Sequence, residues 1–469
     1  MKITLHRPHQ IGGCITEIES NAGTKIFIDL GHLLPDGDKP ANDKYASKEA
    51  VQKLTEGAGA ILYTHNHGDH VELFNLVPKS IPQYIGPLAR KLMELKYQKL
   101  SVLQEQHDSC VEKLEKLAMF KGYERGVPFT IGDIEITPFF VSHSATDSYM
   151  LKVRCDGKTL LHTGDFREHG YLGGGLRRVL NQYHLVGHVD VLVIEGTNVG
   201  QPNKPVKSEE EVKETFKEIM SKRKNVFILS SSMDADRLES VYKANYSMEQ
   251  WRPLVCDGFQ KQIMLAIADE YKDGGPYYRF NTRRIYTYDW DSAKNVGLIK
   301  KMKECGFTML IRKSDKFAQW INDILKFCKK EETSFVYSMY RGYVEEGMDG
   351  FSKESFDFIQ PLVAGSTPCL KPDSKYDYNH TSGHASMRSL REVCEIIAPK
   401  TAIIPIHKNP DADYRTLGFS KELTNKIIEE DTTRDGIAIS LGDMEPGQGD
   451  AFSQQHLATL TKNRSQKHV

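Results

Sequence analysis

The stretch Thr64-His65-Asn66-His67-Gly68-Asp69-His70 constrains this chain most, because it packs three imidazoles and one carboxylate into six residues directly after the apolar run Ala60-Ile61-Leu62-Tyr63. Neutral imidazole and carboxylate are ligand types that suit zinc, and a strand end followed by a tight glycine-bearing loop turns alternate side chains toward one point. A closed site uses about four protein ligands per ion, so these candidates plus more distant ones suggest two ions. The distant ones have the same context. His143 follows Phe139-Phe140-Val141-Ser142, Asp165 follows Leu161-His162-Thr163-Gly164, and His407 follows Ile403-Ile404-Pro405-Ile406. Taken singly, each reads as a hydrogen-bonded strand cap. Parallel and mixed sheets gather ligand groups at strand ends, and together the residues fit a two-metal site.

The rest of the composition sets bounds. A length of 469 residues predicts two domains. With 62 Lys+Arg against 63 Asp+Glu the formal charge is -1, so no global basic field marks a nucleic-acid binder and any polyanion must be gripped locally. The eight cysteines are scattered without a CxxC pair, which argues for reduced thiols and against a zinc ribbon. Met1-Lys2-Ile3 leads straight into a strand-like segment, and nowhere do about 18 apolar residues run together. The expectation is a soluble, cytoplasmic protein without a membrane partner.

Periodicity organises the chain. Alternation over Cys14 to Glu19 and the run Ile26-Phe27-Ile28 predict a hairpin ending at Asp29, and helical spacing from Pro87 to about Phe120 predicts a helical pair projecting from a sheet domain. Strand patterns return at Ile134-Glu135-Ile136, Tyr149 to Val153, Thr159-Leu160-Leu161 and Val191 to Ile194. Beyond Asn198, Ser208 opens a capping box, and strands then alternate with helices in the βαβ rhythm of a parallel α/β domain. Pro361 to Lys375 reads as irregular. A helix over Met387 to Ile397, a strand over Ala402 to Ile406, a helix near Lys421 to Glu429 and a strand over Ile437 to Leu441 follow.

Asp29, His65-x-His67-x-Asp69-His70, His143 and Asp165 resemble, in order and context, the four motifs of the metallo-β-lactamase superfamily. Glu195, His384 in Thr381-Ser382-Gly383-His384-Ala385-Ser386, and His407 resemble motifs A, B and C of its β-CASP branch. The segments Glu195-Gly196-Thr197-Asn198, His143-Ser144-x-x-Asp147-Ser148 and Ser382 to Ser386 are most similar to bacterial ribonuclease J. The fold implied is α/β: an αββα metallo-β-lactamase sandwich with an inserted α/β β-CASP domain. The first part of the sandwich spans 1–200, the β-CASP domain 201–365, the second part 366–449 and a loose tail 450–469. The chain ends soon after His407, without room for the C-terminal domain that ribonuclease J appends, so a homo-oligomer would need another interface. Ser338-Met339-Tyr340-Arg341-Gly342 departs from the Gly-Ser-Gln-Gly type loop of that family.

The resemblance implies that His65, His67 and His143 hold one divalent ion and Asp69, His70 and His407 a second, with Asp165 bridging and Asp29 anchoring the loop. Zinc is the expected metal and manganese the alternative. Two ions about 3.5–4 Å apart activate water and stabilise the attacking and leaving oxygens of an in-line displacement. That chemistry fits hydrolysis of single-stranded RNA, with a lactonase or small-molecule phosphodiesterase as the rival function. Asp69, His384 and Glu195 are the expected catalytic residues, His384 as general acid and Glu195 as the group that orients it. Ser230, Ser231, Ser232 and Arg237, where a strand opens into a helix, form the expected substrate-phosphate site, with ordinary helix capping as the alternative. Arg167, His169, Arg177, Arg178, Lys204 and Lys207 are candidates for a basic rim.

Overall fold

The computed structural model describes residues 1–8, 10–201, 206–273, 277–289, 292–429 and 437–441. The expected tail, 450–469, and Lys204 of the expected rim lie outside them.

Period-2 alternation builds a sandwich of two sheets. One sheet runs Ile437–Ser440, Lys2–Leu5, Thr16–Glu19, Lys25–Ile28, Ala58–Leu62, Gln83–Ile85, Lys121–Gly122 across its width, antiparallel at first and parallel from Lys25–Ile28 onward. The other runs Ala402–Ile406, Val191–Glu195, Lys158–His162, Ser148–Cys155, Ile134–Val141, Phe129–Ile131; its first three strands are parallel and the rest antiparallel. Ile26, Ile28, Ala60 and Leu62 point inward to meet Leu151, Leu160, Val191, Val193 and Ile404 between the sheets. Their neighbours point outward. Phe27, Ile61 and Tyr63 pack under helices Pro87–Leu100 and His107–Ala118, while Leu192, Ile194 and Ile403 pack under Met387–Ile397. Inner strands such as Val191–Glu195 and Ala402–Ile406 therefore bury both faces, which is why their sequences read as short apolar runs, whereas the edge strands Lys121–Gly122 and Phe129–Ile131 do not. The result is an αββα layering.

A third sheet, entirely parallel, runs Ile285–Thr287, Leu254–Cys256, Phe307–Ile311, Asn225–Leu229, Thr333–Tyr337, Asp377–Tyr378. Val226 and Ile228 face helices Glu209–Lys222, Ala235–Tyr246 and Gly258–Tyr271. Phe227 and Leu229 face Val296–Cys305, Asp315–Leu325 and Lys353–Ala364. The sheet takes its edge strand from beyond residue 365. The capping box at Ser208 forms, with Glu211 closing it.

Three expectations are corrected here. The helical pair does not project: Leu88 and Leu92 of Pro87–Leu100 enter the core of the third-sheet layer, beside Ile263 and Ile267. Pro361 does not open an irregular stretch but lies inside helix Lys353–Ala364. The helix expected near Lys421 to Glu429 is only Lys421–Thr424, because Ile427 turns instead to pair with Ile403. Among the described residues no helix is long and apolar enough to cross a membrane.

Candidate active site

The carboxyl ends of six sandwich strands meet at one edge. His65 to His70 leave Ala58–Leu62, His143 leaves Ile134–Val141, Asp165 leaves Lys158–His162, Glu195 ends Val191–Glu195, His407 leaves Ala402–Ile406 and Asp29 leaves Lys25–Ile28. Asp29 (φ 62°) and His407 (φ 51°) hold left-handed backbone, a conformation that costs non-glycine residues about 1–3 kcal/mol and persists where the surroundings over-determine it. The bonds that do so for Asp29 are visible. Its carboxylate accepts from the Thr64 N–H at 2.7 Å and from Thr64 Oγ1 at 2.8 Å, and contacts His70 Nδ1 at 2.8 Å. Gly31 completes the anchor, since a Cβ there would lie 1.7 Å from the Asp69 carbonyl oxygen.

Four of the imidazoles are tethered at Nδ1: His65 to Thr64 Oγ1 (3.0 Å), His70 to Asp29, His143 to the Gly383 carbonyl (2.6 Å) and His407 to Thr197 Oγ1 (2.8 Å). Their Nε2 atoms surround one oxygen, Asp165 Oδ2, at 3.8, 3.1, 3.8 and 3.9 Å in that order. His67 Nδ1 lies 3.2 Å from His143 Nε2, and Asp69 Oδ2 lies 3.1 Å from His407 Nε2 and 3.9 Å from His70 Nε2. Within this cage His65 Nε2, His70 Nε2 and Asp165 Oδ2 are buried without a hydrogen bond. Buried polar atoms are nearly always paired. Here they converge on each other, with the far ring nitrogens fixed as metal-ligating histidines have them, so the donor set fits divalent cations.

The electrostatics agree. Burial drives the imidazoles of His65 and His143 far below their ordinary range and that of His67 to about 4, leaving them neutral and able to ligate. Burial opposes charge on Asp165 as well, but His407, His70 and His384 hold its carboxyl well below the usual carboxylate range. A carboxylate and neutral rings are the protonation states a metal requires; against their burial, Cys14 and Asp165 raise His70 and Asp165 raises His407 to about 9, so these two rings would release a proton on binding an ion.

His384 stands beside this cage. Its Nδ1 contacts Glu195 Oε2 and Thr197 Oγ1, each at 3.1 Å, and lies 3.6 Å from Asp165 Oδ2. Burial works against its charge, but Glu195 and Asp165 raise its imidazole to about 9. Glu195, fully buried, spends its other oxygen on the N–H groups of Phe166 (3.1 Å) and Ala385 (3.2 Å), which locks the pair. The His384 side chain keeps 21 % of its surface exposed, against 0–1 % for His65, His70, His143 and His407. Two neighbours that sequence reasoning left without a role position it: Thr197 joins His384 to His407, and Asn198 Nδ2 donates to the Ala385 carbonyl at 2.8 Å. Their signals in the sequence were position, immediately after the strand that ends in Glu195, and membership of the Glu195-Gly196-Thr197-Asn198 segment that resembles ribonuclease J.

A beta-lactamase superfamily domain model matches residues 39–220, and a model described as a Zn-dependent metallo-hydrolase RNA specificity domain matches 373–416, the stretch containing His384 and His407. Residues 39–220 therefore carry a beta-lactamase superfamily domain. Among curated relatives it is similar to ribonuclease J of Helicobacter pylori, 27% identical over 162 residues that cover 34% of this chain and 22% of that one. It is also similar to ribonuclease J of Mycobacterium tuberculosis, 26% identical over 240 residues that cover 50% of this chain and 41% of the relative. The matches thus span well under half the length of these relatives. A crystal structure of a protein of unknown function from Enterococcus faecalis shares the fold across 94% of this chain and 99% of its own, with a TM-score of 0.66 at 16% identity.

Beside the metallo-β-lactamase sandwich, the serine turn lines a cavity of about 240 Å³ at the carboxyl ends of the third sheet, together with Arg312, Tyr337, Tyr343 and Phe358. Arg312 Nη1 donates to Ser232 Oγ at 3.2 Å. The turn abuts the metal-ligand loop, since Thr146 Oγ1 donates to the Met233 carbonyl at 3.1 Å. Ser231 is exposed, Ser232 half-buried and Ser230 buried, and the helix that follows is capped by Asp234, not by a serine.

Arg237 and Arg167 are corrected: neither faces substrate. Arg237 is 1 % exposed and donates to Glu209 (2.9 and 3.2 Å) and to Ser338 Oγ (2.6 Å). Arg167, 0 % exposed, donates to Asp236 at 2.6 Å and to the Ser382 carbonyl at 3.1 Å. His169 is likewise engaged, its Nε2 donating to that same carbonyl at 2.7 Å, and Arg177 pairs with Glu392. Arg167 instead ties the loop after Asp165 to Asp236 and Glu209 on the third-sheet helices, and Arg237 ties helix Ala235–Tyr246 to Glu209 and Ser338. Arg237→Ala would remove the nearer guanidinium from the buried Glu209 carboxylate and leave it Arg167 at 3.4 Å, and unfolding in denaturant should show a loss of about 3 kcal/mol. Against its burial, Arg237 and Arg167 hold the Glu209 carboxyl down to about 2, below its ordinary 4.5. A folded-state value below the unfolded one means that this stabilisation is complete above about pH 4.5 and disappears as pH falls toward 2. The stability-pH curve of Arg237→Ala should therefore lose part of its acid limb.

Proposed function

We propose that this chain is a metal-dependent phosphodiester hydrolase acting on single-stranded RNA, and that the cleft between the metal cage and the serine turn is its active site. The observation that carries this reading is the hydrogen bond that joins the serine turn, one wall of the cavity, to the metal-ligand loop. A polymer with a phosphate on every nucleotide can occupy both at once, which a lactone or small ester has no means to do. The RNA specificity model over 373–416 and the similarity to ribonuclease J support the same substrate class.

His65, His67 and His143 would hold one ion, and Asp69, His70 and His407 the other, with Asp165 between them. Bound there, the two ions supply Lewis-acid activation of water and charge stabilisation for an in-line displacement. The chain's own residues do the rest. Asp29 holds His70 with Nε2 turned inward, and Gly383 does the same for His143. Glu195 and Thr197 occupy His384 Nδ1, so its Nε2 carries the proton delivered to the departing oxygen. Ser231, Ser232 and Arg312 would grip a phosphate of the strand.

With a near-zero net charge, RNA affinity should fall with salt along a shallow slope set by a few phosphate contacts. Ser231→Ala and Arg312→Ala should weaken binding of 5′-phosphorylated RNA several-fold more than binding of 5′-hydroxyl RNA, measured by titration at fixed salt. Equal losses for the two ends would reduce the serine turn to a structural feature and favour a small-molecule substrate.

A further inference from the structure

Cys14 is set into the metal cage. It lies in the loop between Lys2–Leu5 and Thr16–Glu19, buried and outside any disulfide. Its Sγ and one ring nitrogen each of His70 and His407 lie within 4.8 Å of one another. Among the described residues, no other cysteine belongs to a group of metal-ligating side chains. Tetrahedral bonds of about 2.3 Å to sulfur and about 2.0–2.1 Å to nitrogen place such donors roughly 3.5 Å apart, so the spread lies within reach of side-chain rotation. Two further observations give the thiol a ligand's setting. His70 Nε2 is a buried nitrogen without a hydrogen bond, and its ring is turned inward by the bond from Nδ1 to Asp29; His407 is oriented likewise through Thr197. The Cys14 backbone is also laced to the metal loop: its N–H donates to the Asp69 carbonyl at 2.9 Å, and its own carbonyl accepts from the Gly31 N–H at 3.0 Å. Gly12 (φ 84°) and Gly13 (φ 71°) supply the left-handed turn that brings this backbone against Asp69.

We propose that Cys14 is a thiolate ligand of the second metal ion, alongside Asp69, His70 and His407, and that it makes this position selective for zinc over manganese. On binding, the S–H bond is exchanged for a sulfur–metal bond and the proton passes to solvent. Thiolate is a soft donor that favours zinc, whereas a set made only of carboxylate, imidazole and water also accommodates manganese. The proposal rests on the two-ion reading of the site but not on the identity of the substrate.

The test is cobalt substitution of the full-length chain. Metal-depleted protein loaded to two Co²⁺ per chain should show a near-ultraviolet sulfur-to-cobalt charge-transfer band. The band should vanish in Cys14→Ser and persist in Cys305→Ser, a control for the exposed thiol. In competition, the preference of the second position for Zn²⁺ over Mn²⁺ should fall about tenfold or more in Cys14→Ser. X-ray absorption of the zinc-loaded wild type needs no variant and should show a sulfur scatterer at about 2.3 Å. Two bound ions with no charge-transfer band and no sulfur scatterer would overturn the assignment and leave the two-ion reading standing. A chain that binds no cobalt would overturn both.

Discussion

His384→Ala is expected to lose about 10²- to 10⁴-fold in turnover on RNA while keeping its metals and its RNA affinity. Hydrolysis of a phosphodiester expels an alkoxide, a poor leaving group at neutral pH, so a positioned proton donor lowers the barrier in the transition state and not in the ground state. The other histidines of the cage are turned with a nitrogen toward the metal positions. His384 differs: Glu195 and Thr197 occupy its Nδ1, and its side chain keeps 21 % of its surface exposed, more than His65, His70, His143 or His407. A purely structural role is the competing explanation, because Ala385 and Asn198 knit the same turn to the sandwich. Leaving-group chemistry separates the two. On a p-nitrophenyl phosphodiester, whose leaving group needs no proton, His384→Ala should recover most of its lost rate. Equal slowness on both substrates would mean that His384 is not the acid.

Asp165→Ala should be more damaging still. A single oxygen of Asp165 lies within 3.9 Å of the Nε2 atoms of four histidines, so its charge sits at the centre of the ring cluster where two cations would be held. Without it, elemental analysis should find metal content falling from about two ions per chain to below one, with both positions affected. Melting temperature should fall with it, since ions that bind only the folded chain stabilise it by mass action. Metal content unchanged in Asp165→Ala would remove the bridging role. Loss of one ion alone would assign Asp165 to a single position.

Much of this site was legible in the sequence because its parts sit at strand ends. A strand buried on both faces announces itself as an apolar run, and the polar residue that follows is then conspicuous, as with His143, Asp165 and His407. What sequence spacing could not show was pairing across distance. Arg237 looked like a phosphate hook at a helix start, but its partner Glu209 lies at the start of a different helix and takes the guanidinium out of the cleft. Arg167, close to the metal motif in sequence, was misread for the same reason. Arg312 and Tyr343 join the serine turn only through the register of the third sheet. That sheet was also the least readable part of the fold. Strands Leu254–Cys256 and Phe307–Ile311 are short apolar runs between helices, which periodicity alone does not separate from buried helix, and Pro361 masked a helix that tolerates it. Cys14 read as one of eight scattered thiols until the loop between the first two strands placed it beside His70 and His407.

The most direct test of the central claim is to incubate the metal-loaded protein with 5′-labelled single-stranded RNA and, in parallel, with a lactone and a small phosphodiester, before and after treatment with a chelator. The expected result is RNA cleavage that the chelator abolishes and added Zn²⁺ restores, with product lengths showing whether cuts begin at the 5′ end or fall internally. Intact RNA alongside chelator-sensitive turnover of the small substrates would contradict it.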